Sequence, residues 1–268
     1  MTASGGPDVP DDTAENGEAR GISVLRNGIA VLRSFGVDEP LLGVSEIATR
    51  VGLHKSTVSR ILATLESEDL VERDPSTRRF RLGLGVIAMA GPLLADLDVR
   101  RVAYPLLHQL SRQTGETVAL MLWDGGEAVC VEQVPSLHQV KHTTPLGTRY
   151  NTAASSSVQV FLARMEPFAV RSLLLKGTID LPGLTEATLD AYLVRLQDVA
   201  NRGHATNYGE TSLEEVGVAA PVFDHRGEPV AALLLSAPRF RVSTDQLGLL
   251  KEAVTGAAVA ITSRLGGG

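Results

Sequence analysis

Between residues 23 and 35 the apolar positions Leu25, Ile29, Leu32 and Phe35 fall at steps of four, three and three, the repeat of one helix face. The segment SVLRNGIAVLRSF therefore predicts an amphipathic helix, with Ser23 available as its N-cap. In GVSEIATRVG, Ile47, Ala48 and Val51 share an inward face after Ser45, and Gly52 stands where a helix ends on a left-handed residue. A third helix follows at once. Val58, Ile61, Leu62 and Leu65 stand at i, i+3, i+4 and i+7, which buries one side and turns Ser56, Ser59, Arg60 and Ala63 outward. LVERDPSTRRFRLG then reads as two short strand-like runs around the turn DPST.

From Leu84 a helical repeat continues through Val99, Val102, Leu106 and Leu110, with Pro92 and Pro105 marking kinks or restarts. Beyond it, TVALMLWDG, EAVCVEQVP and HQVKHTTP read as strands, TAASSSVQVFLARM as a helix start rich in small residues, and TEATLDAYLVRLQDVANRG as a longer helix. Strands return in EVGVAAPVFDHRGEPVAALLLSAP, a hairpin turning at DHRGE. A last helix opens at Ser243, with Gln246 at capping-box spacing, and carries Leu247, Leu250, Val254 and Ile261. Mostly sequential strands with helices between them predict an α+β fold, an antiparallel sheet flanked by helices.

Composition adds to this reading in a few places. Residues 1–20 hold five acids against one arginine and almost nothing apolar, so a disordered acidic tail is expected there. Cys130 is the single cysteine and no charged-then-apolar leader opens the chain, which points to the cytoplasm. No apolar run approaches the roughly 20 residues of a membrane-crossing helix. The net charge of −6 averages over regions that face different partners. Only four of the 25 basic residues are lysines, an arginine bias of the kind that GC-rich genomes write.

Two short helices joined by a tight glycine-containing turn, the second showing small polar and basic side chains near its start, have the shape that enters a DNA major groove. Lys55 and Arg60 can reach base edges or phosphates, and the hairpin with Arg73, Arg78, Arg79 and Arg81 makes a basic wing. Residues 21–83 carry nine basic residues against eight acidic ones, so phosphate contacts should be few and dimerisation should supply the rest of the affinity. Helices of this shape also serve as protein-docking modules, and the basic wing is the feature that separates the two readings.

Four stretches, GLHKSTVSRILATLESEDLVERD, RFRLGLGV, LDVRRVAYPLLHQLSRQTGETVAL and RGHATNYGETSLEEVGVAAPVFDHRGEPVAALLLSAP, stand in an order that resembles the isocitrate-lyase-regulator (IclR) family of bacterial transcription factors. The resemblance covers nearly everything after the tail. It implies a winged helix-turn-helix at 21–83, a linker helix at 84–100 and, at 101–266, an effector-binding domain similar to the GAF and PAS folds. It also implies dimers or tetramers on a palindromic operator. DNA contacts are then expected from His54, Lys55, Ser56, Thr57, Ser59 and Arg60 on the recognition helix and from Arg78, Arg79 and Arg81 on the wing. An effector pocket is expected at Met121, Cys130, Thr152, Ser155, Ser156, Ser157 and Glu210. The family's pocket loop reads T-A-S-G-K-A and aligns with SSSVQV at 155–160, where Val158 replaces the glycine and Gln159 the lysine.

Each of these residues has a second reading. The three serines offer hydroxyls and free backbone N–H groups to a carboxylate, or one of them simply caps a helix. Glu210 either orients a polar group in the pocket or caps a turn, and Met121 and Cys130 also read as plain core. With Gln159 in place of lysine the loop lacks positive charge, which favours small, partly polar ligands such as amino acids or related metabolites. His138 and His142, four apart on what reads as a strand, would lie about 13 Å apart and cannot share an ion. No Cys-x-x-Cys, His-Glu-x-x-His or phosphate loop is present, and SSSVQ lacks the glycines of a serine-hydrolase elbow. The expectation is a regulator, not an enzyme, without catalytic residues, metal or cofactor.

Overall fold

A computed structural model of the chain describes residues 12–96 and 98–267, and its contacts separate two compact units, divided between Asp96 and Leu97. Among the described residues no helix is long and apolar enough to cross a membrane.

The first unit contains α1 (Asp12–Arg33), α2 (Val44–Val51), α3 (Lys55–Ser67), the antiparallel hairpin of β1 (Val71–Arg73) and β2 (Phe80–Leu82), and α4 (Gly85–Asp96). In α3, Val58 and Leu62 are fully buried and Ile61 and Leu65 pack beside them, as the period predicts. Gly52 closes α2 with φ +68, where a side chain would be strained. The start of α2 is held from within the helix. Gly43 occupies the N-cap and its N–H donates to the Glu46 carboxylate at 2.6 Å, so Ser45 lies inside the helix. A glutamate reaching back from the first turn thus gives the N-cap N–H its acceptor.

Ser23 likewise lies within α1 rather than capping it, because the helix begins at Asp12. The intervening Gly17 and Gly21 are tolerated at about 1 kcal/mol each. Of the expected tail, residues 1–11 lie outside the described residues and 12–20 belong to α1. Among the described side chains of α1, those of the last turns reach the core. Val31 is fully buried with Leu32 and Phe35 beside it, whereas Leu25 and Ile29 are exposed by 67% and 43%. At the far end of the hairpin the chain passes the end of α3 so closely that a Cβ on Gly83 would lie 2.2 Å from the Asp69 carbonyl oxygen. The helical run from Leu84 comprises α4 and α5 (Asp98–Thr114), and Pro92 and Pro105 lie inside them.

The second unit is built on a six-stranded antiparallel sheet in the order β5-β4-β3-β8-β7-β6. Its strands are β3 (Thr117–Trp123), β4 (Ala128–Val134), β5 (Arg149–Tyr150), β6 (Ala205–Tyr208), β7 (Glu215–Phe223) and β8 (Pro229–Pro238). Helices α6 (Ser156–Leu162), α7 (Pro167–Leu175) and α8 (Glu186–Arg202) precede β6, and α9 (Thr244–Arg264) ends the chain. Strand alternation creates two separate cores. In β8, Leu233 and Leu235 pack with α5 and α9 on one face, while Ala232 and Leu234 pack with α6, α7 and α8 on the other. The hairpin turn is built by Asp224, whose Oδ1 accepts from the N–H groups of Arg226 and Glu228. Ser243 caps α9 reciprocally with Gln246, as its spacing predicts.

HQVKHTTP is not a strand. Pro135 has no N–H with which to continue the β4 ladder, and Ser136 turns the chain instead, accepting nothing from the sheet backbone but donating its N–H to Thr117 Oγ1 at 3.0 Å and its hydroxyl to the Gly115 carbonyl at 2.6 Å. His138 and His142 thus sit in an irregular segment, where the strand-spacing argument about them no longer applies. Nearby, Arg241 clamps the buried Glu116 with two bonds of 2.8 Å and gives a third, of 3.1 Å, to the Val140 carbonyl.

Candidate functional site

The first candidate surface is the outward side of α3. His54 is its N-cap, with Nδ1 accepting from the Ser56 N–H at 3.4 Å and lying 2.8 Å from the Ser56 hydroxyl. His54, Lys55, Ser56, Thr57, Ser59 and Arg60 are all exposed. Among the described residues the side chains of Lys55, Ser59 and Arg60 have no hydrogen-bond or ion-pair partner, so two cations and a small hydroxyl are uncommitted on the first two turns. The helix's own N-terminal N–H groups add partial positive charge at the same end.

The wing is more divided than its sequence suggests. Its turn is set by Asp74, whose Oδ1 accepts from the Ser76 hydroxyl at 2.6 Å, the Thr77 N–H at 2.7 Å and the Thr77 hydroxyl at 2.8 Å. These bonds, the Ser76 hydroxyl foremost, hold the Asp74 carboxyl well below its ordinary range. Arg78 sits at the tip in the left-handed region, φ +58, exposed and without a charged partner among the described residues. Arg79 is committed elsewhere. It donates to the Leu41 carbonyl at 3.1 Å and to Glu46 at 3.0 Å, tying the hairpin to the start of α2. Arg81 is paired with Glu72 on the facing strand. Arg73 lies over the Phe80 ring and donates to the Arg78 carbonyl, so of the wing arginines Arg78 is the one whose guanidinium has no such tie among the described residues, while Arg79 and Arg81 brace the hairpin.

The second candidate lies in the layer between the sheet and α6 to α8. Met121 and Cys130 are buried in it. Burial pushes the Cys130 thiol up to about 12, and its S–H donates to the Thr144 carbonyl at 3.0 Å, the behaviour of a core thiol and not of a nucleophile. Ser155, Ser156 and Ser157 are buried as well. Ser155 is the N-cap residue of α6, but its hydroxyl bonds sideways to Ser157 at 3.0 Å and makes no cap bond. Simple capping therefore does not account for it. A Cβ on Gly217 of β7 would meet the Ser156 hydroxyl at 3.1 Å, so the absence of a side chain there is what admits the serine. Thr152 is half-buried and its backbone bridges Asp180. The Thr144 and Ser236 hydroxyls, both fully buried, have no partner among the described residues.

Glu210 stands apart from that group. It forms a two-bond pair with Arg195 of α8, at 2.6 and 2.8 Å, and Arg195 in turn donates to Gln159 Oε1 at 3.0 Å and to the Thr206 carbonyl at 3.1 Å. Gln159 completes the chain by donating to the Ala154 carbonyl at 2.9 Å. The 155–160 loop itself lacks positive charge, yet a guanidinium is handed to it from α8, neutralised by Glu210. Sequence reasoning missed Arg195 and also Tyr192, whose hydroxyl donates to the Ala153 carbonyl at 2.9 Å. The available signal was their place in α8. Both fall on the helix face of Leu189, Leu196 and Val199, where a solvated arginine has no reason to be.

Residues 24–75 match the IclR helix-turn-helix domain and residues 92–263 match the bacterial transcriptional regulator IclR C-terminal domain. The chain is 31% identical over 247 residues to the HTH-type transcriptional regulator KipR of Bacillus subtilis (strain 168), covering 89% of this chain and 95% of that protein. It is similar to the crystal structure of an IclR transcriptional regulator from Alicyclobacillus acidocaldarius, with TM-score 0.74 and 26% identity over 91% of this chain and 99% of that one. A solved domain assigned to the same family is 59% identical, with TM-score 0.62, over 63% of this chain and 98% of that domain.

Proposed function

The chain belongs to the IclR family of bacterial transcriptional regulators, and from that premise we propose that it holds a palindromic operator as a homo-oligomer and changes that hold when a small metabolite binds. It is a DNA-binding regulator rather than an enzyme. Residues 21–83 contact the operator, 84–100 link, 101–266 receive the effector, and the work is done in the cytoplasm.

The observation that carries the DNA reading is the uncommitted outward face of α3, Lys55, Ser59 and Arg60, with Arg78 open on the wing. Using an operator selected from a random-sequence pool, Arg60→Ala should weaken binding by roughly 1–3 kcal/mol and relax preference at one base position. Arg78→Ala should weaken binding to all sequences alike and reduce the salt slope by about one. Fluorescence anisotropy showing wild-type affinity in both variants would sink the assignment and favour a protein-docking role. Oligomerisation is supported by exposed apolar side chains in the first unit, Leu25 and Ile29 on α1 and Ile87 and Met89 on α4, which a second copy would cover.

For the effector, the support is a buried polar set in an otherwise apolar layer. The linked hydroxyls of Ser155 and Ser157, Ser156 against Gly217, and the unpartnered Ser236 hydroxyl on the residue paired with Gly217 are polar groups that a small polar ligand would satisfy. The layer is closed over these groups, so binding requires it to open. With Arg195 neutralised by Glu210, a zwitterion such as an amino acid fits better than a strong anion. A metabolite panel screened by thermal shift should give a hit whose affinity falls in Ser156→Ala and Ser157→Val while their unliganded melting temperatures stay near wild type. Unchanged affinity in both variants moves the effector elsewhere in the domain.

A further inference from the structure

A cleft of about 190 Å³ opens in the second unit, lined by the last turns of α8, the start of β6, Lys251 of α9 and Gln159 of α6. Its charged groups do not cancel. Arg195 is committed to Glu210. Arg202 pairs with Asp198 at 3.0 Å, but both side chains are more than half exposed, so that pair is weak. Lys251 is half-buried and has no hydrogen-bond or ion-pair partner among the described residues.

Between these cations stands His204. Its Nδ1 lies 3.2 Å from the Arg202 carbonyl, and since a carbonyl only accepts, Nδ1 carries the proton and Nε2 is left with a lone pair. Burial first, and then the charges of Lys251 and Arg202, hold its pKa below the ordinary 6.5, against the carbonyl bond that raises it. A pocket in which an unpaired ammonium and a loosely paired guanidinium press on an imidazole is electrostatically incomplete. The α8 C-terminus contributes an opposing charge of only about half a unit, less than Lys251 alone supplies.

We propose that this cleft binds a small oxyanion held by Lys251, Arg202 and His204, a second ligand site distinct from the layer around Ser155 to Ser157. Its volume is below the roughly 300–1,000 Å³ of ordinary drug-sized pockets, a size for one oxyanion group, the feature that a free phosphate and a phosphorylated metabolite share. The site has a direct route to α6. Gln159 lines the cleft and also bonds the Ala154 carbonyl beside Ser155, so occupancy bears on the same residues as the proposed effector.

The test uses the full-length protein and sulfate, whose charge is constant between pH 6 and 8, at ionic strength held fixed with chloride. Wild type should show a saturable rise in melting temperature. Lys251→Gln should lower the apparent affinity roughly tenfold, the loss of one charge-assisted contact. An anion raises the pKa of the imidazole beside it, so binding takes up a proton and tightens as pH falls below 6.5; that dependence should vanish in His204→Gln. A non-saturating rise of equal size in all three proteins at about pH 6 and about pH 8 is general salting and overturns the site. Unliganded melting temperatures confirm that each variant is folded. Inorganic phosphate and glycerol 3-phosphate, titrated in parallel, distinguish the sources: tighter binding of the ester assigns the site to phosphorylated metabolites, and tighter binding of the free ion assigns it to phosphate.

Discussion

A chain ending at Gly83 is expected to bind the operator on the order of a hundredfold more weakly than the full-length protein, although its helix-turn-helix is intact. The reason is electrostatic. Nine basic residues face eight acidic ones in residues 21–83, and the structure withdraws two of the wing arginines, with Arg79 on Glu46 and Arg81 on Glu72. On the recognition helix and at the wing tip Lys55, Arg60 and Arg78 remain without a carboxylate partner among the described residues, and so few phosphate contacts release few counterions. Two such domains tethered in one assembly act at an effective concentration near millimolar, which multiplies the weak single affinity. The cut also removes α4, with its exposed Ile87 and Met89. Anisotropy titrations of both lengths at two salt concentrations, with circular dichroism to confirm that the fragment is helical, decide the matter. Equal affinity would mean that one copy suffices and that the oligomer argument is wrong.

The second large effect concerns stability. Glu116→Ala should cost the second unit roughly 2–3 kcal/mol, because Arg241 would be left with only the Val140 carbonyl for a partner. The figure lies toward the lower end for a broken buried pair, since Arg241 keeps 24% of its side chain in solvent while Glu116 keeps 7%. For a unit of this size the melting temperature should fall by about 5–10 °C. Glu116→Leu combined with Arg241→Leu should recover most of that loss, as buried pairs are often replaced by apolar residues at little cost. Calorimetry of the single and double variants tests both. A double variant as unstable as the single one would show that packing, and not the unpaired guanidinium, is what the mutation disturbs.

Features set by neighbouring residues were readable from the chain. The α3 stripe of Val58 and Leu62, the left-handed Gly52, the reciprocal cap of Ser243 and Gln246 and the DHRGE turn all depend on spacings of five residues or fewer. Features set by distant partners were not. Arg195 meets Gln159 across 36 positions and Arg79 meets Glu46 across 33, so no local pattern shows that one arginine serves the 155–160 loop or that the other braces the wing. Leu25 and Ile29 repeat like core residues yet stay exposed, because periodicity reports which face is apolar and not what lies opposite it. HQVKHTTP has the composition of a strand, but Pro135 ends the ladder before it begins.

The two cores on opposite faces of the sheet have an evolutionary consequence. Adjacent residues of one strand serve different layers. Ala119, Met121, Ala232 and Leu234 look toward α6 to α8, and Val118, Leu120, Leu233 and Leu235 toward α5 and α9. A lineage can therefore reshape the α6-side layer by changing alternate codons of β3 and β8 while the other layer stays as it was. With the effector held where we propose, such substitutions would change small-molecule preference gradually while the α5–α9 layer keeps the unit folded.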